Sequence, residues 1–194
     1  AGMLGYRLAW LWVAMWFAGD AAIGMTVEVG AFMSLTLPAH AVRIAAPLAL
    51  FALSDGGVRR REWVVRGLMV ATGLTFAAHG LEAYFGHPTF VDYLVVFVTG
   101  DLGVSVSQMT LQRVLVVIGV IDLLVALPAL AARRWPVVYA YMGIWGTIAA
   151  GSRVVHSGLF GLPDLLIRAA NGGVAAAIFV YLWRHDGVDE EVEG

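Results

Sequence analysis

The sequence predicts an all-α integral membrane protein of about six transmembrane helices, arranged as three helical-hairpin repeats. Three observations support this fold class. Of the 194 residues, 60% are hydrophobic and only 13% are charged, whereas a soluble domain usually carries about 25% charged residues. Apolar runs of about 20 residues also recur, and a helix of that length crosses about 30 Å of hydrocarbon. Since the connections are short, residues 1–185 are expected to form a single membrane domain.

Six apolar segments account for the predicted transmembrane helices. In chain order they cover residues 6–24, 38–54, 62–84, 111–131, 136–158 and 164–183. The second is short for a span unless it begins near Thr36. The long connection before the fourth contains an apolar stretch, 93–98, that is too short to cross the bilayer. We expect that stretch to lie at the interface or to dip back into the protein.

The distribution of arginine predicts the orientation. Arginine-dense connections, at Arg59–Arg61 and at Arg133 and Arg134, fall on the same side as both termini in this topology. The positive-inside rule makes that side cytoplasmic, so the protein is expected to be a multi-pass protein of the inner (cytoplasmic) membrane. Residues 186–194 then form a short, acidic, unstructured cytoplasmic tail.

Composition excludes several classes of function. The chain has no cysteine, which excludes iron–sulfur clusters and thiolate metal sites. All 12 basic residues are arginine, and without lysine a retinal Schiff base cannot form. A net charge of −2 offers no case for nucleic-acid binding. The all-arginine, Ala-, Val- and Gly-rich composition is typical of a GC-rich prokaryotic genome.

A weak internal repeat supports the hairpin arrangement. Pro38 precedes Arg43 by the same spacing as Pro163 precedes Arg168. The proposed unit is an ascending helix, an outer loop and a returning helix with arginine at its entry, and Arg113 takes that position in the middle unit. Parallel repeats of this kind are common in membrane proteins. Chance similarity between apolar segments is the alternative.

Ionisable residues inside the spans are the candidate functional residues, because a charge at the membrane centre costs at least about 2.5 kcal/mol. In the predicted topology most of them fall in one layer in the outer half of the bilayer. That layer holds Asp20, Glu28, His79, Glu82, Arg153, His156, Arg168 and Asn171. Asp122 lies deeper, near the middle of the fourth span.

One interpretation of this layer is a b-type haem. His79 and His156 lie at similar depth on two ascending helices, and imidazoles on facing helices are common axial ligands. Arg153 and Arg168 would then pair with the haem propionates.

A second interpretation is a divalent metal ion. His79 and Glu82 are three residues apart and share a helix face, so they present a nitrogen and an oxygen donor together. His156 would be a third ligand, and Asp20 or Glu28 would complete the shell.

A third interpretation is a path for protons or a small solute, formed by Asp20, Glu28, Asp122 and Asn171. The alternative to all three is structural, with the charges simply pairing with one another. The sequence thus favours a haem- or metal-binding redox subunit linked to quinone. A transporter or channel-like protein, and a non-catalytic subunit of a larger membrane complex, remain open. No pattern assigns a catalytic residue, so the sequence does not decide whether the chain is an enzyme.

Overall fold

A computed structural model describes residues 2–28, 30–54 and 58–192, with side chains over 6–28, 30–54 and 58–185. Within these ranges the secondary structure is entirely helical, as the sequence predicts. Short 3-10 turns cover Gly30–Phe32 and Gly158–Gly161, and a π-helical turn covers Val96–Asp101. The α-helices are α1 Gly2–Val27, α2 Met33–Ala39, α3 Ala41–Leu53, α4 Val58–Tyr84, α5 Pro88–Val95, α6 Gln108–Leu130, α7 Pro136–Ser157 and α8 Leu162–Val192.

Several of these helices are long and apolar enough to cross a membrane, which indicates a multi-pass membrane protein. The described residues contain five such segments, and the last of them includes both α7 and α8. They are Tyr6–Val27, Gly30–Leu53, Val58–Tyr84, Gln108–Leu130 and Pro136–His185.

The second predicted span differs most from the structure. It begins earlier than residue 38, at α2, and is interrupted at His40 before α3 continues. At the break, the Val42 amide does not bond to the Pro38 carbonyl as it would in a continuous helix. Thr75 of α4 bridges the break: its hydroxyl donates to the Pro38 carbonyl at 3.3 Å and accepts from the Val42 amide at 3.1 Å.

The C-terminal end also differs from the expectation. α8 continues to Val192 and so enters the acidic segment for which no structure was predicted. Residues 193–194 of that tail, and residues 55–57 before the arginine-rich stretch, lie outside the described residues.

Consecutive long helices pack as antiparallel pairs: α1 with α3, α4 with α6, and α7 with α8. The α4–α6 pair approaches most closely where Gly80 faces Gly119, and the α7–α8 pair where Gly146 faces Gly172. Small residues allow such approach in membrane bundles. A buried cluster that includes Met69 of α4, Tyr139 and Met142 of α7, and Ile178 and Leu182 of α8 joins the last two pairs.

Candidate functional site

A cavity of about 620 Å³ lies among α4, α5, α6, α7 and α8. Its wall is mainly apolar and aromatic, with Phe76, Phe90, Leu115 and Trp145 among the lining residues. Several polar side chains also reach it. They are His79, Tyr93, Asp122, Ser152, Arg153, Arg168 and Asn171.

His79 is held in the wall by Glu82. The His79 Nδ1 atom lies 2.8 Å from the Glu82 Oε2 atom, and both side chains are largely buried. A carboxylate only accepts, so Nδ1 carries the proton that it donates to Glu82. Nε2 has no hydrogen-bond partner among the described residues and is therefore available as a base. This is the geometry of an imidazole oriented by a carboxylate, as in general-base and metal-ligating histidines.

Asp122 is the one acidic side chain among the described residues that line the cavity. It is 4% exposed, and its Oδ1 atom accepts a hydrogen bond from the Tyr141 hydroxyl at 3.1 Å. The carboxyl therefore faces the interior of the bundle. Asp122 and the His79–Glu82 pair are on neighbouring helices, α6 and α4, that line the same cavity.

Arg153 of α7 is buried against Tyr93 of α5. Its Cζ atom lies 3.8 Å from the centre of the Tyr93 ring, which is a cation–π contact. Two of its nitrogens, Nε and Nη1, are buried and make no hydrogen bond. His156 packs edge-on against the same Tyr93 ring, at 4.7 Å between centres, but is exposed and does not line the cavity.

Arg43 and Asn171 connect α3 to α8 behind the cavity. The Arg43 Nε atom donates to the Asn171 Oδ1 atom at 3.3 Å, and Arg43 is 3% exposed. Its Nη2 atom is buried and makes no hydrogen bond. Arg168, three residues before Asn171 on α8, lines the cavity and is half-buried.

Asp20 and His40 form a second histidine–acid pair, between α1 and the α2–α3 junction. The His40 Nδ1 atom lies 2.8 Å from the Thr36 carbonyl oxygen and must donate to it, because a carbonyl only accepts. The other ring nitrogen faces the Asp20 carboxyl at 3.3 Å. A hydrogen bond there needs one additional proton, held by either the imidazole or the carboxyl group.

Glu28 and His87 form a third pair, which joins the end of α1 to the start of α5. The His87 Nδ1 atom accepts from the Thr89 amide at 3.3 Å, so its Nε2 atom carries the proton in the neutral ring. That Nε2 atom lies 3.5 Å from the Glu28 Oε2 atom. Three of the five histidines thus face a carboxyl group.

The structure divides the predicted residue sets. Of the haem set, His79, Arg153 and Arg168 line the cavity, but His156 does not. The predicted metal ligands do not lie together in one place, since Asp20 pairs with His40 and Glu82 pairs with His79. Across the part of the chain that the structure describes, no three His, Asp or Glu side chains lie close enough to hold a metal ion.

The predicted proton or solute path is divided as well. Asp122 and Asn171 line the cavity, whereas Asp20 and Glu28 pair with histidines at the α1 side of the bundle. The four residues therefore do not form one continuous row of hydrogen bonds.

Tyr141 and Tyr93 are two residues of the site that the sequence did not indicate as functional. Tyr141 bonds Asp122 from 19 positions away, and no local spacing indicates such a contact. Tyr93 lies in the apolar stretch that was expected to lie at the interface or to dip back into the protein, and that stretch is the one available signal for its position.

Comparison with protein families, with curated proteins and with solved structures found no match for this chain.

Proposed function

We propose that this chain is a membrane redox subunit that binds a quinone-type molecule in the cavity, with His79 exchanging the proton of a quinol hydroxyl. The observation that carries the proposal is the combination of an apolar cavity of about 620 Å³ and an oriented imidazole in its wall. Pockets for small organic ligands measure about 300–1,000 Å³ and are mainly apolar with a few placed polar groups.

The chemistry assigned to His79 follows from its tautomer. Nε2 accepts the proton of a quinol hydroxyl as the quinol is oxidised, and the Glu82 carboxylate stabilises the imidazolium that forms. Oxidation of a quinol releases two protons, and we assign the second to the Asp122 carboxylate, which lines the same cavity and is held by Tyr141. The electrons pass to a redox partner, which we take to be another membrane subunit.

The finer topology belongs to the same proposal. We take α1, the α2–α3 segment, α4, α6, α7 and α8 to be the six transmembrane segments and the three antiparallel pairs to be hairpin repeats, with both termini cytoplasmic. This chain would then be a component of the inner membrane of a prokaryote.

Haem or a divalent metal has less geometric support than quinone. A bis-histidine haem in the cavity needs a second imidazole in the wall, and His156 lies outside it. An absorption spectrum and elemental analysis of the purified protein separate these cases, because bound haem gives a Soret band and a bound metal is detected directly.

Binding of decyl-ubiquinol, kept in its reduced form, to the purified protein tests the proposal, because its hydroxyl groups can donate to the His79 Nε2 atom. We expect saturable binding that is about tenfold weaker in His79→Gln, since glutamine cannot act as the base and loses the hydrogen bond to a charged group. His185→Gln is the matched control, because His185 is exposed near the end of α8. Absent binding, or equal affinity in wild type and His79→Gln, contradicts the proposal. The transporter interpretation would then be measured by solute uptake into proteoliposomes containing Glu82→Gln.

A further inference from the structure

Arg153 has hydrogen-bonding capacity that the protein does not use. The residue is 7% exposed, yet the N–H groups at Nε and Nη1 are buried and make no hydrogen bond. Tyr93 covers only the face of the guanidinium group, and the N–H groups point outward in the guanidinium plane. Arg153 also lines the cavity, although these two nitrogens are themselves covered, so an occupant reaches them once the side chains around the guanidinium group shift.

Two further arginines surround this position. Arg168 lines the same cavity, and Arg43 lies behind it with its own buried, unbonded Nη2 atom. Within the part of the chain that the structure describes, none of the three forms a salt bridge. Arg43 interacts electrostatically with Arg153, Arg168, Asp20 and Glu82. Arg153 interacts in the same way with Arg168 and Asp164.

None of these carboxyl groups is within salt-bridge distance of the three arginines in the part of the chain that the structure describes. Glu82 accepts from His79, Asp20 faces His40 at 3.3 Å, and Asp164 is exposed in the first turn of α8. A buried guanidinium without a partner is strongly unfavourable, and more so in a bundle surrounded by hydrocarbon. A bound anion would therefore stabilise this group of arginines.

We propose that Arg153 and Arg168 form an oxyanion site at one end of the cavity, which binds a carboxylate or phosphate group. The planar, fixed donors of arginine suit such groups better than a point charge does. The rest of the cavity wall is apolar, so the anionic group belongs to an amphipathic molecule whose apolar part fills the remaining space. This anionic amphiphile is a different ligand from the quinol of the proposed function, which has no carboxylate or phosphate group, so the inference shares with that function only the cavity.

Direct binding to the purified full chain tests the site with three probes. Dodecanoate carries the anion on an apolar chain, dodecanol has the same chain without the charge, and inorganic phosphate has the charge without the chain. We expect dodecanoate to bind at least tenfold more tightly than dodecanol. We also expect Arg153→Gln to abolish that preference and Arg153→Lys, which keeps the positive charge, to retain part of it.

Arg184→Gln is the matched control, because Arg184 is exposed near the opposite end of α8 and its loss should leave the preference unchanged. If Arg153→Gln does not purify, Arg168→Gln makes the same test at a half-buried position. Saturable phosphate binding with the same dependence on Arg153 assigns the site to a free oxyanion. Equal binding of dodecanoate and dodecanol, together with no phosphate binding, overturns the proposal.

Decyl-ubiquinol binding, measured on the same preparations, separates this inference from the proposed function. Quinol binding that depends on His79, without anion binding, refutes the oxyanion site alone. Anion binding that depends on Arg153, without quinol binding, refutes the redox function and leaves the oxyanion site intact.

Discussion

Substituting Gly119 with alanine is expected to destabilise the bundle, because α4 and α6 touch there through backbone atoms. A methyl group on Gly119 would lie 2.5 Å from the Gly80 carbonyl oxygen and 2.6 Å from the Tyr84 amide nitrogen, whereas ordinary contacts begin near 3.4 Å. Neither atom belongs to a movable side chain, so the helices must separate by roughly 1 Å along their contact. Overpacking of this kind costs about 1–3 kcal/mol.

A matched control isolates this cost from the helix propensity of alanine. Gly67, also helical and on α4, has no atom within 4 Å of an added methyl group. Gly67→Ala should therefore raise stability by up to about 1 kcal/mol. Both substitutions gain the same helix propensity. The free energy of unfolding, measured in mixed micelles with increasing SDS, should therefore be about 1–3 kcal/mol lower for Gly119→Ala than for Gly67→Ala. Equal stabilities for Gly119→Ala and Gly67→Ala would refute the close-contact argument.

Three more predictions follow from individual contacts. Asp122→Leu should lower the free energy of unfolding by about 1–3 kcal/mol because it leaves the Tyr141 hydroxyl without an acceptor, whereas Asp122→Asn keeps an acceptor and should cost less; equal stabilities would contradict the buried role. Thr75→Val should cost a similar amount, about 1–3 kcal/mol, measured by the same unfolding titration, since the amide and carbonyl that it bridges lose their partner. Single cysteines at Ser54 and Ser105 should react with an impermeant thiol reagent from opposite sides of the membrane in intact cells, and labelling of Ser54→Cys from outside would reverse the predicted orientation.

The helical fold was predictable because its signal is local. Each long helix is a run of apolar residues, and such runs are recognisable without knowing what they pack against. The α2–α3 break was missed for the opposite reason. Pro38 alone does not decide whether a helix kinks or stops, and the hydroxyl of Thr75 that stabilises the break comes from another helix.

The sequence indicated which polar residues lie inside the bundle but not how they pair with one another. Polar residues in hydrocarbon must find partners, so their presence indicates a buried polar region. Their partners depend on how helices are rotated about their axes. That rotation places His79 in the cavity wall while turning His156 to the surface, and it joins Asp20 to His40 instead of to the predicted metal ligands. The contact between His79 and Glu82 was within reach because both lie on one helix, three residues apart.

The position of the cavity determines how an occupant arrives. α6 and α7 contact each other little, and Phe97, Ile148 and Val155 of the cavity wall are also exposed on the side of the bundle. An amphipathic ligand of the kind proposed above would therefore enter by lateral diffusion within the lipid, where its concentration is set by partitioning. Each added CH₂ contributes about 0.8 kcal/mol to partitioning, or roughly fourfold in local concentration. Ligands with longer tails should thus saturate the protein at lower total amounts even when their contacts with the cavity are identical.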